Sequence, residues 1–305
     1  MKIATFNLRN LFDAGHRDGY GNTQLLVTQE FVSKVVSNLS KVISSISPDI
    51  LLAQEVGSEK VFKDLAKIVN PATQTFVAKP DPRGMGNAAM FGVVATCASI
   101  PDASGFAVFT LGEEDLIGAY TPPYRDLLYL KTTYNNLPLH VFGVHLKAST
   151  PSPLRGADGE KLNPVDQSDA GDGLIRANLY KLAEARRLRK LADELFLENA
   201  NAQIIILGDF NDASDTAVLA IINGVLWKNT ETQLTDVCEK VPEEKRYSFM
   251  GHGSKRLIDH ILLSPALLPS VSNVEILNDT LIDQSTLPED HYFTSDHAPV
   301  VLTLR

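Results

Sequence analysis

Six short apolar runs, spread from the first ten residues to the last ten, carry polar side chains at or near their ends. They read "ATFNL", "LLAQEV", "GVHLK", "LGDFND", "RLIDHILLS" and "SDHAPVV". The run "IIIL" directly before "GDFND" is continuously apolar, as expected of a strand that is covered on both faces. Because α/β proteins usually build their sites at strand ends, this pattern predicts a layered α/β fold whose polar side chains gather in one cleft.

The first sixty residues predict a strand, a helix and a second strand. Residues 3–8 have the character of a short strand, and residues 31–46 show an apolar repeat with helical spacing. The residues that set this repeat are Phe31, Val35, Leu39 and Ile43. Pro48 marks the end of the helix, and "DILLAQEV" follows as a strand, which indicates a βαβ-like start.

The remainder of the chain continues this alternation. Residues 148–173 are rich in Pro, Gly, Ser and Asp without an apolar period, which predicts a long surface loop before a helix at 174–198. The turn signal "NNLP" predicts a hairpin. Many strands with interspersed helices favour two packed sheets flanked by helices, in a single domain spanning residues 1–305. The other predicted strands are 74–78, 90–95, 127–134, 139–146, 246–250, 258–263, 273–277 and 298–304.

Composition limits the class of function. The net charge of −9 argues against a broad basic surface for nucleic acid, but it is compatible with a local basic patch and with a carboxylate site for a divalent cation. Two cysteines, Cys97 and Cys238, exclude a cysteine-rich zinc site and do not indicate a disulfide framework. No apolar stretch has the length of a membrane span, and "MKIATFNL" does not have the form of a secretory signal, so we expect a cytoplasmic protein, with secretion of a processed form left open. We also expect a monomer.

The polar residues at the strand ends have the chemistry of a metal-assisted hydrolase. They comprise four carboxylates, two amides and two imidazoles: Asn7, Glu55, His145, Asp209, Asn211, Asp259, Asp296 and His297. Carboxylate and amide oxygens suit a hard cation such as Mg²⁺, and imidazoles transfer protons near neutral pH. Each residue taken alone is more ordinary as a turn, ion-paired or core residue, so the hypothesis depends on the whole set.

The six motifs, in this order, resemble the endonuclease/exonuclease/phosphatase superfamily, over residues 5 to 300 of the chain. The resemblance implies a deoxyribonuclease I-like four-layer sandwich of the α/β (α+β) class, and a hydrolase of phosphoric esters that depends on Mg²⁺ or Mn²⁺. One departure concerns the helix after the long loop. Relatives often carry an Arg-x-x-Gln-Ala signature there, and this chain has "KLAEA", with Lys181 and Glu184.

The resemblance also implies roles for the polar residues. Asn7 and Glu55 correspond to metal-site residues, with Glu55 the principal ligand. Asp209 and Asn211 resemble the pair that orients the nucleophile and contacts the scissile phosphate, and His297 resembles the general base. His145 corresponds to the second histidine of the deoxyribonuclease and sphingomyelinase branches.

Asp259 and Asp296 match the two acidic partners of this region. One of them would hold His297 in its useful tautomer, and the other would support the metal or His145. Both are therefore candidates for the catalytic set, and Asp296 is also a candidate for the metal site.

Several alternatives remain open at this stage. The substrate is expected to be DNA or RNA, but a lipid headgroup or a small phosphorylated metabolite would also fit, and so would an inactive binding module of the same fold. Arg125 and Lys147 could contact phosphate or form ordinary surface interactions. His252 is expected to be a solvated loop residue, and His260 a structural one, because strand alternation turns it away from Asp259.

Overall fold

The computed structural model describes residues 1–18, 25–78, 86–100, 126–155, 161–162, 164–226, 230–287 and 293–305. Its helices are α1 (Gln29–Ile46), α2 (Glu59–Val69), α3 (Gln167–Glu198) and α4 (Ala217–Asn223). Its strands are β1 (Lys2–Leu11), β2 (Arg17–Asp18), β3 (Leu25–Leu26), β4 (Ile50–Val56), β5 (Gln74–Val77), β6 (Gly86–Phe91), β7 (Thr96–Ile100), β8 (Leu127–Tyr134), β9 (Leu137–His145), β10 (Leu154–Arg155), β11 (Lys161–Leu162), β12 (Gln203–Asp209), β13 (Thr235–Asp236), β14 (Phe249–Gly251), β15 (Ser254–Arg256), β16 (Asp259–Leu263), β17 (Val271–Ile276) and β18 (Val300–Leu304).

Twelve of these strands form two mixed sheets of six. The first has the order β17-β18-β1-β4-β6-β5 and the second the order β13-β16-β12-β9-β8-β7. Each sheet has one parallel pair near its centre, β1 with β4 and β9 with β12, and its other pairs are antiparallel. The parallel pair β1–β4 is linked through α1, which confirms the predicted βαβ start.

Three apolar clusters separate the layers. In β12, Ile205 and Leu207 face the cluster between the two sheets, whereas Ile204 and Ile206 face the cluster under α3 and α4. The third cluster lies between the first sheet and α1 and α2. The alternation explains why this strand is continuously apolar in sequence, since both of its faces are buried. The layers are therefore helices, sheet, sheet and helices, as the four-layer prediction required.

The long helix α3 begins seven residues earlier than predicted, at Gln167, and so occupies part of the expected 148–173 loop. The Asp166 side chain caps it by accepting a hydrogen bond from the Asp169 N–H. The loop was predicted because residues 148–173 are rich in Pro, Gly, Ser and Asp without an apolar period, and a glycine such as Gly173 normally disfavours helices. Here it allows close packing, since a Cβ at this position would lie 3.0 Å from the Pro151 Cβ. Residues 156–160 and 163 of the expected loop lie outside the described residues.

Two other predictions have clear outcomes. The hairpin at "NNLP" is confirmed, because Asn135 and Asn136, with φ of 52° and 61°, form a two-residue turn between β8 and β9. The strand predicted at 90–95 is wrong in position. The strand is β6, which ends before Gly92, and Val94 is 93% exposed. Among the described residues, no helix is both long and apolar enough to cross a bilayer.

Candidate active site

The two parallel strand pairs end at the same edge of the sandwich. Asn7 and Glu55 lie toward the carboxyl ends of β1 and β4, and His145 and Asp209 are the last residues of β9 and β12. His145 and Asp209 are direct partners in the strand register. Asn7 bridges the sheets, because its Nδ2 lies 3.0 Å from Asp209 Oδ2. Polar groups from both sheets thus meet between the layers.

Antiparallel strands bring the C-terminal residues to this edge. Asp259 is the first residue of β16 and pairs with Asp209, the last residue of β12. His297 lies just before β18, the neighbour of β1. Ser295 fixes this segment, since its Oγ donates to the Asn7 carbonyl oxygen (2.6 Å) and accepts from the His297 N–H (3.0 Å). The first and last ten residues therefore share one site.

Glu55, His145 and Asp209 form a compact group around the Asn7 amide. Asn7 Nδ2 donates to Glu55 Oε1 at 3.1 Å as well as to Asp209. His145 Nε2 lies 3.4 Å from Asp209 Oδ2 and 3.8 Å from Glu55 Oε1. The Asn7 amide oxygen accepts a hydrogen bond from the Arg9 N–H at 2.9 Å, so the nitrogen of this amide faces the two carboxylates. In this arrangement Asn7 holds the carboxylates together as a donor.

His297 and Asp259 form a buried imidazole–carboxylate pair. His297 Nδ1 lies 2.7 Å from Asp259 Oδ2, and the same oxygen accepts a hydrogen bond from Ser248 Oγ, also at 2.7 Å. The other ring nitrogen, Nε2, lies 3.9 Å from Asp209 Oδ2. The Phe249 ring packs edge-on against the imidazole, with centroids 5.1 Å apart. The carboxylate fixes the ring orientation and directs Nε2 toward the cluster.

Asp296 has a different partner from Asp259. Its Oδ2 lies 3.6 Å from Arg9 Nε, and the Arg9 guanidinium also donates to the Gln284 side chain. Two carboxylate–imidazole groups of the described residues have ligand atoms close enough to share a cation, and Asp296 belongs to neither. Of the two acidic partners, it is therefore Asp259 that orients His297.

Asn211 connects the loops that follow β9 and β12. Its backbone N–H donates to Asp209 Oδ1 at 2.8 Å, and its Nδ2 donates to the Leu146 carbonyl oxygen at 3.1 Å. One side-chain N–H of Asn211 is thus used to join the loops. The second N–H of the same amide group is the one that remains for a substrate oxygen.

Backbone strain is concentrated at this edge. Arg9, Asn10, Glu55 and Asn211 have φ of 49°, 52°, 59° and 51°, in the left-handed region that disfavours residues with a Cβ. Gly208, with φ of 148°, precedes Asp209, and a Cβ there would lie 2.0 Å from the Val144 carbonyl oxygen. Only glycine fits at this position, which explains the "GD" dipeptide at the end of β12. Such strain persists where the surrounding contacts hold the chain in place.

The pKa values of Asp209 and His297 are both raised by their surroundings in the site. Burial and the neighbouring charge of Asp259 raise the pKa of Asp209 to about 7. Burial favours the neutral ring of His297, but the charges of Asp259 and Asp209 outweigh it and raise the His297 pKa to about 10. Burial and the charge of Asp259 thus favour the protonated form of Asp209, and the neighbouring carboxylates favour the protonated form of His297.

The residues present fit a divalent cation. Ligand atoms of Glu55, His145 and Asp209 lie within 4.8 Å of one another, and so do those of Asp209, Asp259 and His297. Carboxylate oxygens are the donors that Mg²⁺ and Mn²⁺ prefer. Burial is the first cause of the raised Asp209 pKa and the negative charge of Asp259 the second, and a cation would offset that charge. The site thus has both the donor atoms and the electrostatic need for a metal ion.

Residues that the sequence left ambiguous now have definite surroundings. Lys147 Nζ donates to the carbonyl oxygens of Ala148 and Thr150, within its own loop. His260 is fully buried on the opposite face of β16 from Asp259, with Nδ1 2.7 Å from Asp236 Oδ2. His252 is exposed in the turn between β14 and β15. Arg125 lies outside the described residues.

Sequence reasoning missed several residues of the site. Arg9 directly follows the motif "ATFNL", but nothing in the sequence linked it to Asp296, which lies at the other end of the chain. Ser248, which bonds Asp259, lies within the predicted strand 246–250, which begins only at Phe249, and nothing in that pattern marked it as a site residue. Lys181 and Glu184 were visible as a departure in a helix signature, and that signal could have drawn attention to them.

The sequence matches the model of the Endonuclease/Exonuclease/phosphatase family over residues 4–297. No curated protein is a significant match to the sequence. The family match spans the whole set of site residues, from Asn7 to His297.

Solved structures of similar fold include an AP endonuclease from Archaeoglobus fulgidus, with 15% identity, a TM-score of 0.60 and coverage of 100% of this chain and 99% of that one. A D. rerio TDP2 structure with a single-strand DNA product has 16% identity, a TM-score of 0.59 and coverage of 100% and 98%. The 3' phosphatase NExo from Neisseria, bound to a product DNA hairpin, has 16% identity, a TM-score of 0.57 and coverage of 100% and 99%. At these identities the likeness establishes the fold.

Proposed function

Because the chain belongs to the endonuclease/exonuclease/phosphatase family, we propose that it is a divalent-cation-dependent phosphodiester hydrolase that cleaves DNA or RNA. The observation that carries this proposal is the contact between the two halves of the site. Asn7 Nδ2, His145 Nε2 and His297 Nε2 lie 3.0, 3.4 and 3.9 Å from the same oxygen, Asp209 Oδ2. A cation-binding group and an oriented imidazole thus adjoin the same carboxylate, in a site built from both ends of the chain.

Glu55 and Asp209 are the residues that would hold Mg²⁺ or Mn²⁺. Their oxygens face each other across the Asn7 amide, and His145 lies beside both. When bound, the cation supplies Lewis-acid stabilisation of the charge that develops on the phosphate. Asn7 and the strained backbone at Glu55 keep these carboxylates in place.

His297 is the residue placed to accept a proton from the attacking water. Asp259 holds its Nδ1, and Nε2 points toward the cluster. A ring with a pKa of about 10 keeps its proton at neutral pH, and Asp209 is one of the three charges that raise it, with Asp259 and Asp296. With the charge of Asp209 offset by a bound cation, His297 would have a lower pKa and a larger neutral fraction. The two halves of the site are therefore coupled.

His145 and Asn211 supply donors for phosphate oxygens. His145 Nε2 faces the space beside Glu55 and Asp209, and Asn211 retains one side-chain N–H after bonding Leu146. Such donors stabilise the transition state when they point at oxygens on which charge accumulates. Asp296, through its ion pair with Arg9, positions the segment that carries His297.

Exposed cations beside the site support a nucleic acid as the substrate. A cavity of about 560 Å³ lies beside Asn211, and its lining has as many acidic as basic side chains, the basic ones including the exposed Lys255 and Arg256. The Arg256 guanidinium lies 4.8 Å from the centroid of the Phe249 ring, which contacts His297. These cations adjoin the reactive centre of a protein whose net charge is −9, so they would contact the phosphates next to the scissile one.

A substrate panel tests this function. The purified protein is incubated with plasmid DNA, single-stranded DNA, RNA, a sphingolipid and an inositol phosphate, each with Mg²⁺, with Mn²⁺ and with EDTA. We expect cleavage of at least one nucleic acid that EDTA abolishes and that excess Mg²⁺ restores. Turnover of the sphingolipid or the inositol phosphate, with every nucleic acid intact, would contradict the nuclease assignment.

A further inference from the structure

Two buried charged residues on α3 lie beneath the loops that carry the reactive groups. Lys181 and Glu184 are three residues apart, so they lie on the same face of the helix. Lys181 is fully buried and Glu184 is 8% exposed. Charged residues are rarely buried unless each is paired and hydrogen-bonded, so their partners determine what they do.

Lys181 makes two bonds to the loop after β12 and one to Ser149 in the loop after β9. Its Nζ donates to the Asn211 carbonyl oxygen at 2.8 Å, to Asp212 Oδ2 at 3.1 Å and to Ser149 Oγ at 2.5 Å. These three bonds use all three ammonium hydrogens. Asn211 has a strained φ of 51°, and the bond to its carbonyl oxygen fixes the peptide group that this conformation turns toward the helix.

Glu184 holds the loop after β9. Its Oε2 accepts a hydrogen bond from the Lys147 backbone N–H at 2.8 Å. Lys147 is two residues beyond His145, and Leu146 between them provides the carbonyl oxygen that binds Asn211 Nδ2. The helix, the two loops and the side chain of Asn211 therefore form one closed chain of hydrogen bonds.

We propose that Lys181 and Glu184 are positioning residues that set the catalytic loops at the spacing needed for reaction, each acting mainly on a different loop. Lys181 acts through Asn211, whose N–H binds Asp209 Oδ1, and Glu184 acts through Lys147 on the end of β9, where His145 lies. This role rests on the proposed hydrolase function. Through this pair, α3 helps to hold His145 Nε2 at 3.4 Å from Asp209 Oδ2.

The test combines kinetics with amide hydrogen exchange in Lys181→Met, Glu184→Leu and Glu184→Gln. Glutamine keeps an acceptor for the Lys147 N–H, whereas leucine removes it. We expect kcat on a cleaved substrate to fall about 10-fold to 100-fold in Lys181→Met and Glu184→Leu, with KM nearly unchanged, as is typical for misplacement of reacting groups by about 1 Å. Glu184→Gln should recover most of the kcat lost in Glu184→Leu.

Exchange reports the loops directly and does not depend on activity. Glu184→Leu should accelerate exchange of the Lys147 amide, and Lys181→Met chiefly that of the Asn211 amide. The matched controls are Lys190→Met and Glu194→Leu, which remove exposed charges from the solvent face of the same helix and should change neither readout.

The outcomes separate the two proposals. A wild-type protein without activity on any substrate would reject the hydrolase function, while exchange would still decide the role of the pair. The positioning role would be overturned if the Lys147 amide in Glu184→Leu and the Asn211 amide in Lys181→Met exchanged at the wild-type rate. A wild-type kcat in Glu184→Leu would overturn it as well. If Lys181→Met does not fold, the comparison of Glu184→Leu with Glu184→Gln decides the question alone.

Discussion

Replacing His297 with alanine is expected to lower kcat by about 10²–10⁴-fold, the usual contribution of a positioned general base. The expected loss is large because the imidazole has no substitute. Its Nδ1 is held by Asp259 at 2.7 Å, whereas among the described residues the other imidazole of the cluster, that of His145, lies at the end of β9 beside Glu55 and Asp209. Rates are measured under saturating substrate and Mg²⁺, so that weaker binding does not hide the effect.

A matched control separates loss of the base from loss of any histidine. His140 lies in β9, five residues before His145, and its Nδ1 contacts the Tyr129 hydroxyl at 2.7 Å. His140→Ala should therefore keep a kcat near that of the wild type. A His297→Ala variant with wild-type kcat, in a protein that remains folded by circular dichroism, would remove His297 from the role of base.

Asp259→Asn is expected to lower kcat by up to about 10⁴-fold, as loss of the orienting carboxylate does in related imidazole–carboxylate systems. The amide no longer favours the tautomer with a proton on Nδ1, so Nε2 is less available as the proton acceptor. The same change removes the largest charge that raises the His297 pKa. We therefore expect the acidic limb of the kcat/KM profile to move to lower pH, because the neutral ring forms more readily.

Ser248→Ala is the milder counterpart of this change. It removes one hydrogen bond to Asp259 Oδ2 and keeps the negative charge, so we expect a smaller loss in kcat and little movement of the acidic limb. Imidazole NMR of labelled His297 measures the pKa directly in each variant. An unchanged His297 pKa in Asp259→Asn would contradict the electrostatic account of this pair.

Much of the fold could be predicted because the strands and helices of each layer have a hydrophobic pattern that is visible in the local sequence. Continuous apolarity marked β12 as central, and the spacing of Val35, Leu39 and Ile43 marked the buried face of α1. The beginning of α3 was missed because a glycine inside a helix is unexpected from local sequence. Gly173 is accommodated by the close approach of Pro151, which is a contact between segments that are distant in sequence. Local propensity cannot report such packing.

The polar set of the site was predictable for a related reason. Asp209, Asp259 and His297 stand beside apolar runs, where a charge requires a partner. The pairing within the set was not predictable. Whether Asp259 or Asp296 binds His297 depends on the order of the strands in the two sheets. That order brings Asp259 to within 2.7 Å of His297 Nδ1. The direction of the Asn7 amide likewise depends on the Arg9 N–H, which becomes available only in the strained conformation at the end of β1.

Strain and crowded charge at one edge suggest that this region is organised for binding rather than for stability. Glu55 and Asn211 have a backbone conformation that costs roughly 1–3 kcal/mol each, and Asp209 is buried with a pKa of about 7. A folded protein gains nothing from either feature alone. Both become useful if a cation binds where the carboxylates meet.

Binding of Mn²⁺ to the wild type and to Glu55→Gln, titrated by calorimetry at pH 7.5 and followed by a cleavage assay on the same samples, tests this account most directly. Glu59→Gln, an exposed change four residues away at the start of α2, serves as the control. We expect the wild type and the control to bind Mn²⁺ and to cleave substrate, and Glu55→Gln to bind at least about tenfold more weakly, a loss seen even for residues that only support a ligand. Unchanged Mn²⁺ affinity and unchanged cleavage in Glu55→Gln would contradict the central claim that these converging side chains hold the catalytic cation.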